Sequence, residues 1–169
     1  MNVKWCVAQL GHSAQAIGSL VAGVDAERAR WRPAPGSWSM VEVLNHLLDE
    51  EREDFRTRID LTLHHPEREW PPIDPQAWVV ERDYQSRDLA ESIARFEAER
   101  QHSLSWLRGL TADWNVARRH PAGFELRAGD LLASWVAHDL LHLRQLVELH
   151  YHSLSLGVGS YHVGYAGDW

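Results

Sequence analysis

Asp130 to Tyr151 reads DLLASWVAHDLLHLRQLVELHY, and inside it stands His138-Asp-Leu-Leu-His142. At about 100° per residue, Leu131, Ser134, Trp135, His138, His142, Gln145 and Leu149 share one face of a helix. Histidines four apart sit one turn from each other, about 40° around the axis, so both rings can reach one point. Their stripe is apolar apart from Ser134 and Gln145, and imidazoles buried there need hydrogen-bond partners or a metal ion. The spacing alone is a weak signal. The chain has 11 His among 169 residues, and random placement already yields about 0.7 His-x-x-x-His pairs.

The same segment carries a second stripe, Val136, Leu140, Leu143 and Val147, extended by Ala133. A peripheral bundle helix needs one buried face, so a second points to another partner. Either a neighbouring helix of the chain or a second copy across a two-fold axis would cover it. Four branched apolar residues left exposed are unusual on a soluble monomer, which favours a homodimer.

Outward from this helix, the composition is that of an ordinary soluble globular chain, with 44% hydrophobic and 24% charged residues. A length of 169 residues suits a single domain spanning 1–169. Net charge is −7 and no run is rich in Lys or Arg, which argues against a nucleic-acid partner. The lone cysteine, Cys6, excludes an internal disulfide and a cysteine-based zinc cluster, and the cytoplasm is the expected location. Met1 to Val24 is apolar, but Gln9, His12, Ser13 and Gln15 interrupt it and Lys4 alone makes a poor signal-peptide start. No stretch reaches the roughly 18 apolar residues of a membrane span, so no membrane partner is expected.

Val3, Val7, Leu10, Ala14, Ile17, Val21 and Val24 alternate spacings of four and three, predicting a first helix over about 2–22. Ser39-Met-Val-Glu42 is a capping box and opens a second helix, about 39–63. Its apolar face holds Met40, Leu44, Leu47, Leu48, Phe55 and Ile59. His46 falls off that face among Ser39, Glu42, Val43, Asp49, Glu50 and Glu53, where a histidine is usually solvated unless this edge borders a polar cavity. Pro66, Pro71, Pro72 and Pro75 rule out a regular helix through 64–82, which reads as a crossover covering one end of a bundle. Ser86 is read as the cap of a third helix, about 86–108, whose stripe of Leu89, Ile93, Phe96, Leu104 and Leu107 is broken only by Arg100. A loop with room for a short hairpin leads to Asp130, read as the cap of the fourth helix, about 130–151. From 153 to 169 the chain reads as an extended aromatic and glycine tail. Four helices with two long connections predict an all-α four-helix bundle, the architecture that places metal sites where facing helices converge.

Two runs then carry a resemblance. Pro33-Ala-Pro-Gly-Ser-Trp-Ser-Met-Val-Glu-Val-Leu-Asn-His46-Leu resembles the start of the second helix in the DinB/YfiT-like superfamily. His120-Pro-Ala-Gly, followed by Leu131-Leu-Ala-Ser-Trp-Val-Ala-His138-Asp-Leu-Leu-His142, resembles that superfamily's last-helix signature. The resemblance implies a bundle of up-down-down-up type. It also implies a divalent metal, zinc or nickel, held by one histidine of the second helix and two of the fourth: His46, His138 and His142. Its members include thiol S-transferases and a thiol-dependent isomerase, so the site is implied more firmly than the substrate.

Three neutral imidazoles leave coordination positions open, the pattern of a catalytic rather than a structural ion. Such an ion activates water, or the thiol of a low-molecular-weight cofactor, toward a small-molecule substrate. Glu50, one turn beyond His46, is the candidate catalytic base or an acceptor behind the ligands; otherwise it is a solvated helix glutamate. Ser134 and Gln145 are candidates to orient the rings, and Asp139 reads as surface or as a contact to the second helix. Of the remaining histidines, read as surface or loop, His120 is the one placed to reach a cavity. The expected function is a metal-dependent enzyme of thiol-transferase or hydrolase type. The alternatives are a stress-related bundle that binds metal or a small ligand without turnover, and a purely structural bundle with hydrogen-bonded histidines.

Overall fold

Along α1 (Val3–Val21), Val7, Leu10, Ala14, Ile17 and Val21 are buried, so its four-three seam faces the bundle interior. The computed structural model describes residues 1–120 and 122–169; Pro121, inside the His120-Pro-Ala-Gly motif, lies outside the described residues. After a short α2 (Ala26–Arg30), the second long helix is built of three pieces. These are α3 (Met40–Asp49), a π-helical stretch over Glu50–Arg56, and α4 (Thr57–His64). Two further long helices follow, α6 (Leu89–Gly109) and α7 (Ala128–Val158), giving the four-helix bundle.

Side-chain contacts set the directions. Gly11 and Gly18 of α1 meet Leu104 and Glu97 of α6, so these two run antiparallel. Asn45 bonds Ser92 and Arg56 bonds Ser103, so α3–α4 runs parallel to α6. Met1 lies against Gly129 and His150 bonds the Leu20 carbonyl, so α1 and α7 are parallel. Both α1 and α3 pack on α6 and α7, which leaves the first and second long helices across the bundle from each other.

Two large apolar clusters fill the bundle interior. Ile17, Val21, Leu44, Leu47, Phe96 and Leu146 form one, and Leu10, Phe55, Ile59, Leu104, Leu132 and Trp135 the other. Between them lies a buried polar layer centred on Arg100, which is 0% exposed. A guanidinium there is tolerable only because its donors are matched, by Glu51, Asp139 and the Leu10 carbonyl.

Several boundaries differ from the sequence reading. Asp88, not Ser86, caps α6 through the Glu91 amide. Arg127 occupies the cap position of α7, and Asp130 sits three residues inside, accepting from the Arg127 amide and guanidinium. The crossover contains a short helix, α5 (Pro75–Glu81), because proline is harmless at a helix's first position, where the amide is unpaired anyway. It packs Trp78 and Val79 with Tyr84 against Trp38. Strands β1 (Ala117–Arg119) and β2 (Glu125–Arg127) form the hairpin, with Arg118 opposite Leu126. The fourth helix runs on through Ser153 to Val158, so the tail is not extended from 153; only beyond Gly159 does it leave the helix. Trp169 then folds back to stack on Tyr151, ring centroids 4.2 Å apart.

Half of the second α7 stripe is interior. Val136 belongs to the core and Leu143 packs against it, whereas Leu140 and Val147 are exposed at 55% and 38%. The largest departure concerns the polar edge of α3, because Glu42, His46, Asp49, Glu50 and Glu51 are all buried.

Candidate metal centre

The cap of α3 sets the first histidine. Ser39 donates from its amide and its hydroxyl to Glu42, at 2.8 and 2.9 Å, and Arg32 clamps the same carboxylate from outside. This fixes the start of the helix one and a half turns or so before His46. Just upstream, the turn from Ala34 to Ser37 needs a left-handed residue, supplied by Gly36 at φ +82°. It delivers Trp38 onto the His46 ring, centroids 4.7 Å apart.

His138 and His142 come from α7 on the facing side. The Nε2 atoms of His46 and His142 each lie 3.1 Å from Nε2 of His138. Two ligand nitrogens 2.0–2.1 Å from one ion and roughly at right angles would be about 3 Å apart, so the separation suits a shared divalent ion. His142 donates from Nδ1 to Gln145 Oε1 at 2.8 Å, which leaves its Nε2 lone pair aimed at the common point. Phe55 lies 5.1 Å from the His138 ring and stacks on Trp135, giving that ring an apolar backing.

Electrostatics favour the ligating form. Burial, reinforced by the neighbouring rings, pulls His46 down to about 2 and His138 to about 3, and burial lowers His142 as well. All three are neutral at physiological pH, with lone pairs available. The donor set of three neutral imidazoles fits a divalent first-row transition-metal ion.

The rings floor an open cavity of about 690 Å³, with Trp38, Glu50, Gln76, Gln145, Glu148 and His152 among its walls. Glu50 is 5% exposed and its buried Oε1 has no partner. Burial first, then the charge of Asp54, raises its carboxyl to about 8, so it holds a proton at neutral pH. A proton-holding carboxyl on the wall of a site is suited to acid–base work.

The sequence-derived candidates divide. His46, His138 and His142 converge, and Glu50 and Gln145 reach the same cavity. Ser134 is exposed and, among the described residues, bonds to none of the rings. Asp139 is not at the surface: it is 0% exposed and paired with Arg100 of α6, which also holds Glu51 of the second long helix. His120 lines a separate cleft, stacked on Phe124 and edge-on to Trp70. His150 is no free surface histidine either, since its Nε2 lies 2.6 Å from the Leu20 carbonyl. Trp38 and His152 were missed as cavity residues. Trp38 was findable, standing next to the helix cap; His152 lies nearly three turns past His142 with no local mark.

Comparison with known proteins gives a consistent picture. A family model described as the DinB superfamily matches residues 9–146. Among solved structures, YfiT from Bacillus subtilis, described as "a probable metal-dependent hydrolase with an unusual four-helix bundle topology", superposes with a TM-score of 0.78. The match covers 92% of this chain and 87% of that one at 22% sequence identity, a likeness of fold. No curated protein matches the chain.

Proposed function

The chain belongs to the DinB superfamily, and on that premise we propose that it is a divalent-metal-dependent hydrolase. One observation carries the reading: three neutral imidazoles meet at the floor of a cavity large enough for a small-molecule substrate. The description of YfiT as a probable metal-dependent hydrolase agrees with it. A bound zinc or nickel ion would supply a water, or a thiol, deprotonated near neutral pH.

The chain's own groups do the rest. His46, His138 and His142 hold the ion, and the Gln145 carboxamide keeps His142 in the tautomer that offers Nε2. Glu50 moves the proton: its protonated carboxyl reaches the cavity from one side, to give that proton to the leaving group and to take one back from the water consumed. Trp38 covers the inner edge of the rings and limits water there.

Thiol transfer is the second reading. A cavity of about 690 Å³ has room for a low-molecular-weight thiol beside an electrophile. Protein prepared without a histidine tag should carry one zinc or nickel per chain, and His142→Ala should lose it. Retention of the full complement by that variant would remove His142 from the ligand set. Turnover of esters and amides in water alone supports the hydrolase. Turnover that appears only with added thiol supports the transferase, and metal binding with neither makes the protein a binding module.

A further inference from the structure

The buried Arg100 layer has no part in the reading above, yet it touches every long helix. Arg100 donates from Nε to both Glu51 oxygens at 2.9 and 3.0 Å. Its Nη1 reaches the Leu10 carbonyl and Asp139 Oδ2, both at 2.6 Å, and Nη2 reaches Asp139 Oδ1 at 3.0 Å. Arg100, Glu51 and Asp139 are each 0% exposed. Replacing a buried ionic cluster of this kind by apolar side chains of like volume is often neutral or stabilising, so stability alone is a poor account of its presence.

Position in the chain gives a better one. Glu51 follows Glu50, and Asp139 follows His138. Neighbouring helical residues diverge by about 100°, so anchoring one dictates where the other points. With Glu51 drawn into the bundle axis, Glu50 is turned toward the cavity. With Asp139 drawn to the same guanidinium, His138 is turned toward His46. The π-helical stretch beginning at Glu50 provides the local unwinding that buries both adjacent glutamates.

We propose that Arg100 is the positioning residue of the metal centre, one planar fork setting the rotation of the second and fourth long helices about their axes. The inference rests on the three-histidine site as the metal centre.

The test uses the full chain. Glu51→Leu, Arg100→Met and Asp139→Leu are combined so that no buried charge is left unpaired. The expected result is a folded protein, as thermostable as the parent without metal, whose affinity for zinc falls by about 10-fold or more. Its cobalt(II) absorption spectrum should change in band position. Unchanged zinc affinity with an unchanged cobalt spectrum would overturn the proposal and leave the layer a feature of the fold. Arg100→Lys keeps the charge but not the fork, and is the variant to read if the triple one does not fold. Parent-level zinc affinity in that variant overturns the proposal equally. If the parent itself binds no metal, the proposed function fails separately, and a crystal structure of the variant decides the positioning role. His46 and His138 Nε2 atoms are expected to move apart from their 3.1 Å, and retention of that distance overturns it.

Discussion

His46 shows how a residue's neighbours decide its role. On a helical wheel it lies among acids, which suggests solvent; in the fold Glu42 and Asp49 of that edge, and Glu51 beside it, are buried with cationic or hydroxyl partners, while the buried Oε1 of Glu50 has none. Glu42 meets Arg32 and Ser39, Asp49 meets Arg82 and Tyr84, and Glu51 meets Arg100. All these partners but Ser39 and Arg32 lie far along the chain, so no local pattern announces them. The same burial has a consequence in pH. His46 and His138 titrate at about 2 and about 3 in the fold, against 6.5 when free. The unfolded chain therefore binds protons the fold refuses, and stability falls as pH drops from 6.5 toward 3. Glu50 and Glu51 act oppositely. Burial raises them from 4.5 to about 8 and about 7, so the fold keeps protons the unfolded chain releases, and stability falls as pH rises from 4.5 toward 8. Metal-free protein should thus melt highest near pH 4.5–6.5, where the two trends oppose, and Glu50→Gln should flatten the alkaline fall. Melting temperatures across buffers with chelator present check this; a steady climb from pH 6.5 to about 8 would contradict it.

At the scale of elements, the sequence marks the start of α3 well because the capping box is local chemistry. Removing the Ser39 hydroxyl by Ser39→Ala should cost about 1 kcal/mol of stability. Glu42→Ala should cost more, about 2 kcal/mol, since the buried Ser39 amide and hydroxyl and the Arg32 guanidinium all lose their acceptor. Denaturant midpoints at constant slope measure both; equal costs would mean that neither the Ser39 amide bond nor Arg32 adds to the cap. The π-helical stretch left no comparable trace. Glu50-Glu-Arg-Glu-Asp-Phe-Arg56 reads as ordinary helix, and only the burial of two successive glutamates, on different sides, reveals the local change of pitch. The short α5 was hidden by its prolines, which forbid a helix interior but not a helix start.

For the whole molecule, metal and assembly each yield an expected outcome. An ion held by His46, His138 and His142 would tie the second long helix to the fourth, so chelation should lower the melting temperature. Identical melting with and without chelator, in protein shown to carry metal, would mean the bundle does not use that tie. On the outside, α7 leaves Ala133, Ala137, Leu140, Val147 and Leu154 exposed, at spacings of four, three, seven and seven. This narrower seam replaces the stripe that included Val136 and Leu143, and the homodimer proposal now rests on it, a second copy laying the same face against it. Mass in solution should be that of a dimer for the parent and a monomer for Leu140→Glu with Val147→Glu. Both substitutions fall on exposed positions, so folding should persist. A monomeric parent would end the proposal.

What the sequence determined unaided was periodic or local. The four-three seam of α1, the capping box at Ser39 and the His138–His142 spacing follow from helical geometry over a turn or two. His46 entered the candidate site through resemblance to a family. Its place beside residues 92 and more positions away in sequence was decided by packing of antiparallel helices. Arg100 illustrates the limit. As a lone charge on an apolar stripe it reads as a defect in α6, and only the tertiary structure gathers Leu10, Glu51 and Asp139 around it. A buried charge is stable only with partners, and partners drawn from three other segments cannot be read from the segment that carries the charge.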